Sequence, residues 1–138
     1  MTTGIPGSTA RRNTSQQVGY ARFTVNFNDP NVANGNTKQW LPAGALIIGT
    51  DVQVVTPFNA ATTNVLSVGL GASNANVVAG GAAAPGAVAL TQNIAPTGAA
   101  LGPLAADSQL NVTYTQTGAA ATAGQAIVVV KFIPNNDL

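Results

Sequence analysis

The chain has 138 residues, no Cys, no His and no Glu, and only 7% of its residues are charged, against about 25% in typical soluble domains. Five Lys and Arg face four Asp, a formal net charge of +1. That length suits one domain with a core of its own, and those absences exclude thiol nucleophiles and imidazole bases and remove the ligands that zinc sites favour.

Residues 1–18 read as an extended N-terminal arm, and 19–138 as the folded domain. Thr2 to Gln17 is polar, holds Gly4, Pro6 and Gly7, and shows no periodicity. Such an arm has two fates, lying on a neighbour or folding back on its own domain. The opening Met1-Thr2-Thr3-Gly4-Ile5-Pro6 lacks the apolar run of a secretory signal. No stretch approaches the roughly 20 apolar residues of a membrane span.

The first predicted strand is Tyr20 to Phe27, where Ala21, Phe23, Val25 and Phe27 alternate with Arg22, Thr24 and Asn26. Asn28-Asp29-Pro30-Asn31 is turn chemistry, and the loop reads as polar through Asn36. Trp40-Leu41-Pro42-Ala43-Gly44 leads into the strongest strand, Ala45 to Phe58. Strict alternation there gives an inward set of Leu46, Ile48, Thr50, Val52, Val54, Thr56 and Phe58, with Asp51 and Gln53 outward. After the loop Asn59 to Asn64, Val65 to Leu70 places Leu66, Val68 and Leu70 on one face, and the two strands read as a β-hairpin.

From Gly71 to Ala106 the chain is rich in Ala and Gly. Gly80-Gly81 and Pro85-Gly86 interrupt any helix, leaving short β pieces at Asn76-Val77-Val78 and Ala87-Val88-Ala89-Leu90. Leu110, Val112, Tyr114 and Gln116 alternate with Asn111, Thr113 and Thr115. Ala126 to Ile133 is apolar on both faces apart from Lys131, as expected of a central or covered strand. These last two strands read as a second hairpin. The sum is an all-β chain, a jelly-roll-like β-sandwich of about six to eight antiparallel strands.

Few catalytic devices are available. A carboxylate pair would need two of Asp29, Asp51, Asp107 and Asp137 to converge, yet Asp29 and Asp107 sit in turns, Asp51 faces outward and Asp137 is terminal. The oxygen-rich loop Asp29, Asn31, Asn34, Asn36 fails the calcium-hand pattern, with Trp40 where the bidentate Glu belongs. Gly69-Leu70-Gly71-Ala72-Ser73 and Gly80-Gly81 lack the Lys and the helix of a phosphate loop. The reading is a non-enzyme with no cofactor and no metal. Arg11-Arg12 is the only adjacent basic pair, too little for a nucleic-acid face. Trp40, the sole Trp, is either a core or interface anchor or a stacking platform for a sugar. A surface so poor in charge has little long-range repulsion and favours association. The candidate partner-binding residues are Thr9, Arg11, Arg12 and Asn13 of the arm, and Trp40.

One stretch carries a resemblance. Leu41-Pro42-Ala43-Gly44-Ala45-Leu46-Ile47-Ile48, Val52-Gln53-Val54, Thr56-Pro57-Phe58-Asn59 and Thr62-Thr63-Asn64-Val65-Leu66-Ser67-Val68-Gly69, with the closing strand Ala126 to Pro134, resemble the small capsid decoration (cement) proteins of tailed bacteriophages. The resemblance implies a jelly-roll-like sandwich on the outer capsid surface, made in the host cytoplasm, that binds the major capsid protein and resists the pressure of packed DNA. It also fits a homo-oligomer, a dimer or trimer, on a symmetric shell. It carries no catalytic residues. A carbohydrate- or receptor-binding module of a tail fibre or adhesin, and a tail subunit, are the alternatives.

Overall fold

The computed structural model describes residues 18–71, 73 and 75–134. Seven strands form two antiparallel sheets: β1 (Gly19–Asn26), β2 (Asn36–Leu41), β3 (Leu46–Thr56), β4 (Thr63–Leu70), β5 (Ala89–Ile94), β6 (Ser108–Thr117) and β7 (Gln125–Ile133). One sheet has the order β1-β7-β3-β5 and the other β2-β6-β4. The described helical content is one short 3-10 turn, Gly98–Ala100.

The pairing is nested. β1 pairs with β7, β2 with β6 and β3 with β5, and β4 meets Val78 through a bridge at Val68. Successive pairs alternate between the two sheets. The chain is thus one long antiparallel ribbon, folded back near Gly71 and rolled so that its rungs fall on opposite layers. This is the jelly roll, with the Val78 segment in the place of an eighth strand.

Two expectations fail on this point. β3 and β4 are no hairpin, because β3 lies between β7 and β5 while β4 lies beside β6. β6 and β7 are no hairpin either, since each belongs to a different sheet. The reason is burial. Each of these strands has one strongly apolar face, and the connection carries the chain across the sandwich so that the two faces meet rather than lie side by side.

The core sits between those faces. One sheet contributes Ala21, Phe23, Val25, Ile47, Val52, Val54, Ala126, Val128 and Val130. The other contributes Leu41, Leu66, Val68, Leu70, Leu110, Val112 and Tyr114. The alternation expected for β1 is observed; in β4 Leu66, Val68 and Leu70 are buried but so is Ser67 between them, and in β6 Leu110, Val112 and Tyr114 are buried together with Thr113, while Gln116 is exposed. β7 is central, flanked by β1 and β3, with Ala126, Val128 and Val130 buried and Ile127 and Val129 half-buried on the other face. Phe58 leaves β3 and packs on Tyr114, with ring centroids 4.8 Å apart. Gly124 lies against that ring: a Cβ there would stand 2.5 Å from Phe58 Cδ2.

β3 departs from strict alternation. The inward residues are Ile47, Thr50, Val52 and Val54, while Leu46, Ile48 and Thr56 are exposed. The register slips against β7 between Ile47 and Gly49, and again between Val54 and Thr56. A β-bulge adds one residue and shifts the period by one, so Leu46 and Ile48 turn outward and Ile47 inward. β2 is a strand that polarity concealed. It is an edge strand, and its own register slips between Thr37 and Gln39. β5 runs from Ala89 to Ile94, extending well past the Ala87–Leu90 piece expected.

Thr50 sits in the core opposite Val130, fully buried, and its hydroxyl has no hydrogen-bond partner among the described residues. Burying an unpartnered hydroxyl is unfavourable, and Val has nearly the same shape. Thr50→Val is expected to raise stability by about 1 kcal/mol. Urea denaturation checks it; a loss of stability would mean that the hydroxyl is satisfied.

Candidate functional site

The two ends of the sandwich differ in chemistry. At one end lie the β1–β2, β3–β4 and β6–β7 connections, and polar side chains close them. Asp29 accepts from the Asn26 amide at 2.9 Å and from Lys38 Nζ at 2.6 Å. Asn31 Nδ2 donates to the Gly35 carbonyl, Asn34 Nδ2 to Asn31 Oδ1, and Asn36 Nδ2 to the Pro30 carbonyl. The oxygen-rich loop therefore closes on itself and on Lys38. Among the described residues no group of three or more acidic, Cys or His side chains could hold a metal. Asn59 Oδ1 takes the Thr122 and Ala123 amides at 2.8 and 3.0 Å. The Tyr114 hydroxyl donates to Asn64 Oδ1, and burial holds that phenol above its ordinary range.

The three described carboxylates stand apart in the fold, and each caps a backbone amide. Asp51 accepts from the Asn93 amide at 2.9 Å and pairs with Lys131 at 3.4 Å on the outer face of its sheet. Asp107 accepts from the Ala43 amide at 2.8 Å. These are the bonds of turns and strand edges rather than of an acid–base pair.

The other end holds the β2–β3 turn, the Ile94–Ser108 connection, the start of β1 and the close of β7. Gly19 and Ile47 flank Phe132 on its two sides, so β1 and β3 both begin here. The Leu101–Leu104 segment closes onto the turn, with Leu104 N donating to the Ala45 carbonyl and Gly44 N to the Leu104 carbonyl. Gly102 permits that approach, since a Cβ would lie 2.7 Å from the Ala45 oxygen.

Among the described residues, seven of the ten exposed large apolar side chains gather toward this end: Val18, Tyr20, Trp40, Leu46, Ile48, Leu101 and Ile133. Leu46 and Ile133 are direct cross-strand partners. Trp40 is 58% exposed, which removes its core reading and leaves it as an anchor or platform on the surface. It lines an open cleft with Leu41, Pro42 and Asp107. Strict alternation along β3 concealed this patch, because it assigned Leu46 and Ile48 to the core. Thr9, Arg11, Arg12 and Asn13 lie outside the described residues. No helix among the described residues is long and apolar enough to cross a membrane.

No known protein-family pattern and no curated protein sequence matches the chain. Solved structures do. A chain of the capsid of Ralstonia phage GP4 superposes with a TM-score of 0.59 at 16% identity, covering 88% of this chain and 86% of that one. A chain of the acid-stable capsid of Helicobacter pylori bacteriophage KHP30 gives 0.58 at 15% identity, with 83% and 86% covered. A chain of the cyanophage Pam1 capsid asymmetric unit gives 0.56 at 20% identity, with 86% and 85% covered. At these identities the likeness is one of fold.

Burial works against ionisation of Asp29, but the Asn26 amide and the Lys38 ammonium outweigh it and hold the carboxyl below its ordinary range. A depressed folded-state value stabilises the fold above the unfolded carboxylate range, and that contribution fades as pH falls through the folded value. Asp29→Asn is expected to cost about 1–2 kcal/mol at neutral pH. The difference from wild type should be smaller at acidic than at neutral pH, since the contribution is lost as the depressed carboxyl takes up its proton. Urea denaturation at the two pH values checks it.

Proposed function

We propose that the chain is a structural protein of a phage virion that sits on the outside of the capsid and ties neighbouring major capsid proteins together, with no catalytic role. The observation that carries this reading is the apolar end of the sandwich. Exposed Trp, Tyr, Leu and Ile side chains gathered in one region are the anchors of a protein interface, and scattered exposure would mean little. Three features support it: a jelly roll like those of chains in three phage capsids, nine charged residues in 138, and a polar arm leading into the same end.

A footprint of this size binds weakly alone. On a shell, many copies and several contacts per copy raise the effective concentration, and occupancy becomes high without any single strong contact. An arm that orders on docking adds contact area at an entropic cost. A dimer or trimer would place matching patches on a symmetry axis of the shell.

The test is electron microscopy of labelled particles, with occupancy measured for three chains. Wild type should label heads. A variant lacking residues 1–17, and a Leu46→Asp, Leu101→Asp double variant, should each lose occupancy about tenfold or more, as for the loss of one interface anchor. Label on tails, or full occupancy of both variants, would overturn the proposal.

A further inference from the structure

The two open sheets end in four edge strands, β1 and β5 in one and β2 and β4 in the other. An edge presents backbone N–H and C=O groups that a strand of another chain can pair with. Three of these edges are covered. Residues 76–78 lie along β4, with Val68 N donating to the Val78 carbonyl at 3.0 Å and Val77 N to the Val68 carbonyl at 2.9 Å. Asn76 Oδ1 takes the Leu70 amide at 2.8 Å. β1 and β2 face each other across the opposite flank, where Gln39 Nε2 donates to the Arg22 carbonyl. β2 adds Lys38 and a register slip, both of which discourage pairing.

β5 is the exception. Among the described residues, no hydrogen bond joins its backbone to anything but β3. It carries no charged residue and no Pro. Leu90 is 55% exposed, and Val88, two residues before it, is 68% exposed. Leu90 pairs with Gln53, and the exposed Val55 follows two residues on along the same outward face of β3. These are the three large apolar side chains that do not belong to the apolar end. Thr50 pairs with Ile94 and Val52 with Thr91, so Gln92 and Asn93 together oppose Asp51 in a bulge, with Asn93 at φ 58° less one degree of the left-handed Asn31, that is 57°. A bulge bends an edge and ends its pairing. The stretch left open is short, Val88 to Gln92, with Leu90 at its centre.

We infer that a second copy of this chain pairs with this edge, β5 antiparallel to β5 about a twofold axis beside Leu90, so that two four-stranded sheets continue as one. The occupant follows from the edges themselves. A copy can offer an edge of its own, and β5 is the one left bare among the described residues. Pairing like with like also closes as a dimer, where unlike edges would run on as a filament. Antiparallel self-pairing sets the two Leu90 side chains beside each other and Val88 beside the partner's Gln92. No charge on β5 opposes its copy, and Asp51 next to it is already paired with Lys131. The seam lies on the flank of the sandwich, apart from the apolar end, and the inference stands without the capsid reading.

The experiment is sedimentation equilibrium of the free, full-length protein, which is independent of any particle. Wild type should be a dimer at about 100 μM, as a micromolar dissociation constant requires. Leu90 is exposed in the single chain, so Leu90→Lys leaves the core intact. It sets two ammonium groups against each other and should weaken the dimer about tenfold or more. The Leu46→Asp, Leu101→Asp double variant, altered at the apolar end, should stay dimeric. The chain has no Cys, so Leu90→Cys reports the register alone. Residues directly opposite in such a ladder are within disulfide reach, and oxidation should link the two copies, whereas Thr24→Cys on β1 should stay unlinked. A monomeric wild type would overturn the inference and leave the edge to a strand of a different protein. A dimer that survives Leu90→Lys would overturn it, as would equal linking at both cysteine positions. Loss of the dimer in the double variant would overturn it too, by assigning association to the apolar end.

Discussion

The eight-pair ladder between β1 and β7, from Gly19 opposite Phe132 to Asn26 opposite Gln125, joins the first described strand to the last. Every other pairing is nested inside it. β7 carries this ladder on one edge and the β3 ladder on the other, so it also holds the long β3 strand in place. The inward residues Ala126, Val128 and Val130 lie at the middle of their sheet, with Val25 and Phe23 on one side and Val52 and Val54 on the other. A fold whose ends must meet before its middle is enclosed depends on contacts between residues far apart in sequence, which makes ordering of the closing strand an entropic hurdle.

Nesting also divides the molecule into two unlike ends. At the end of the β1–β2, β3–β4 and β6–β7 connections, Asp29, Asn59 and Asn64 spend their side chains on backbone amides. The tight approach of Gly124 to Phe58 leaves no room for a larger residue. At the other end the chain exposes Trp40, Leu46, Leu101 and Ile133. Polar self-closure at one end and apolar exposure at the other give the sandwich a direction.

Among the described residues each carboxylate holds a backbone amide, and two of the three also hold a lysine. Lys38 and Asp29 tie β2 to the loop before it, and Lys131, Asp51 and Asn93 join β7, β3 and the β5 edge on an outer face. Partly exposed pairs of this kind contribute modestly. Their value is in fixing register where edges and bulges leave it loose. Asp107 differs, because it caps the β2–β3 turn through the Ala43 amide and lines the cleft beside Trp40 without a described ion pair.

The amino-acid order alone determined the all-β class, the apolar faces of β1, β4 and β6, the central place of β7 and the poverty of catalytic groups, because each follows from local periodicity or from composition. The tertiary structure alone decided which strands pair. Sequence neighbours β3 and β4, and β6 and β7, look like hairpins from their spacing, but two apolar faces gain more by meeting across a core than by lying side by side. It also decided which face of β3 is wet at its start, since the bulge near Gly49 answers to the register with β7 and leaves no mark in the pattern of Leu46, Ile47 and Ile48. β2 was hidden for a related reason: an edge strand over a polar rim needs no alternation. The candidate site was legible only as Trp40; Leu46, Leu101 and Ile133 become its companions because the turn at Pro42 and the close approach at Gly102 carry distant segments to one end of the sandwich.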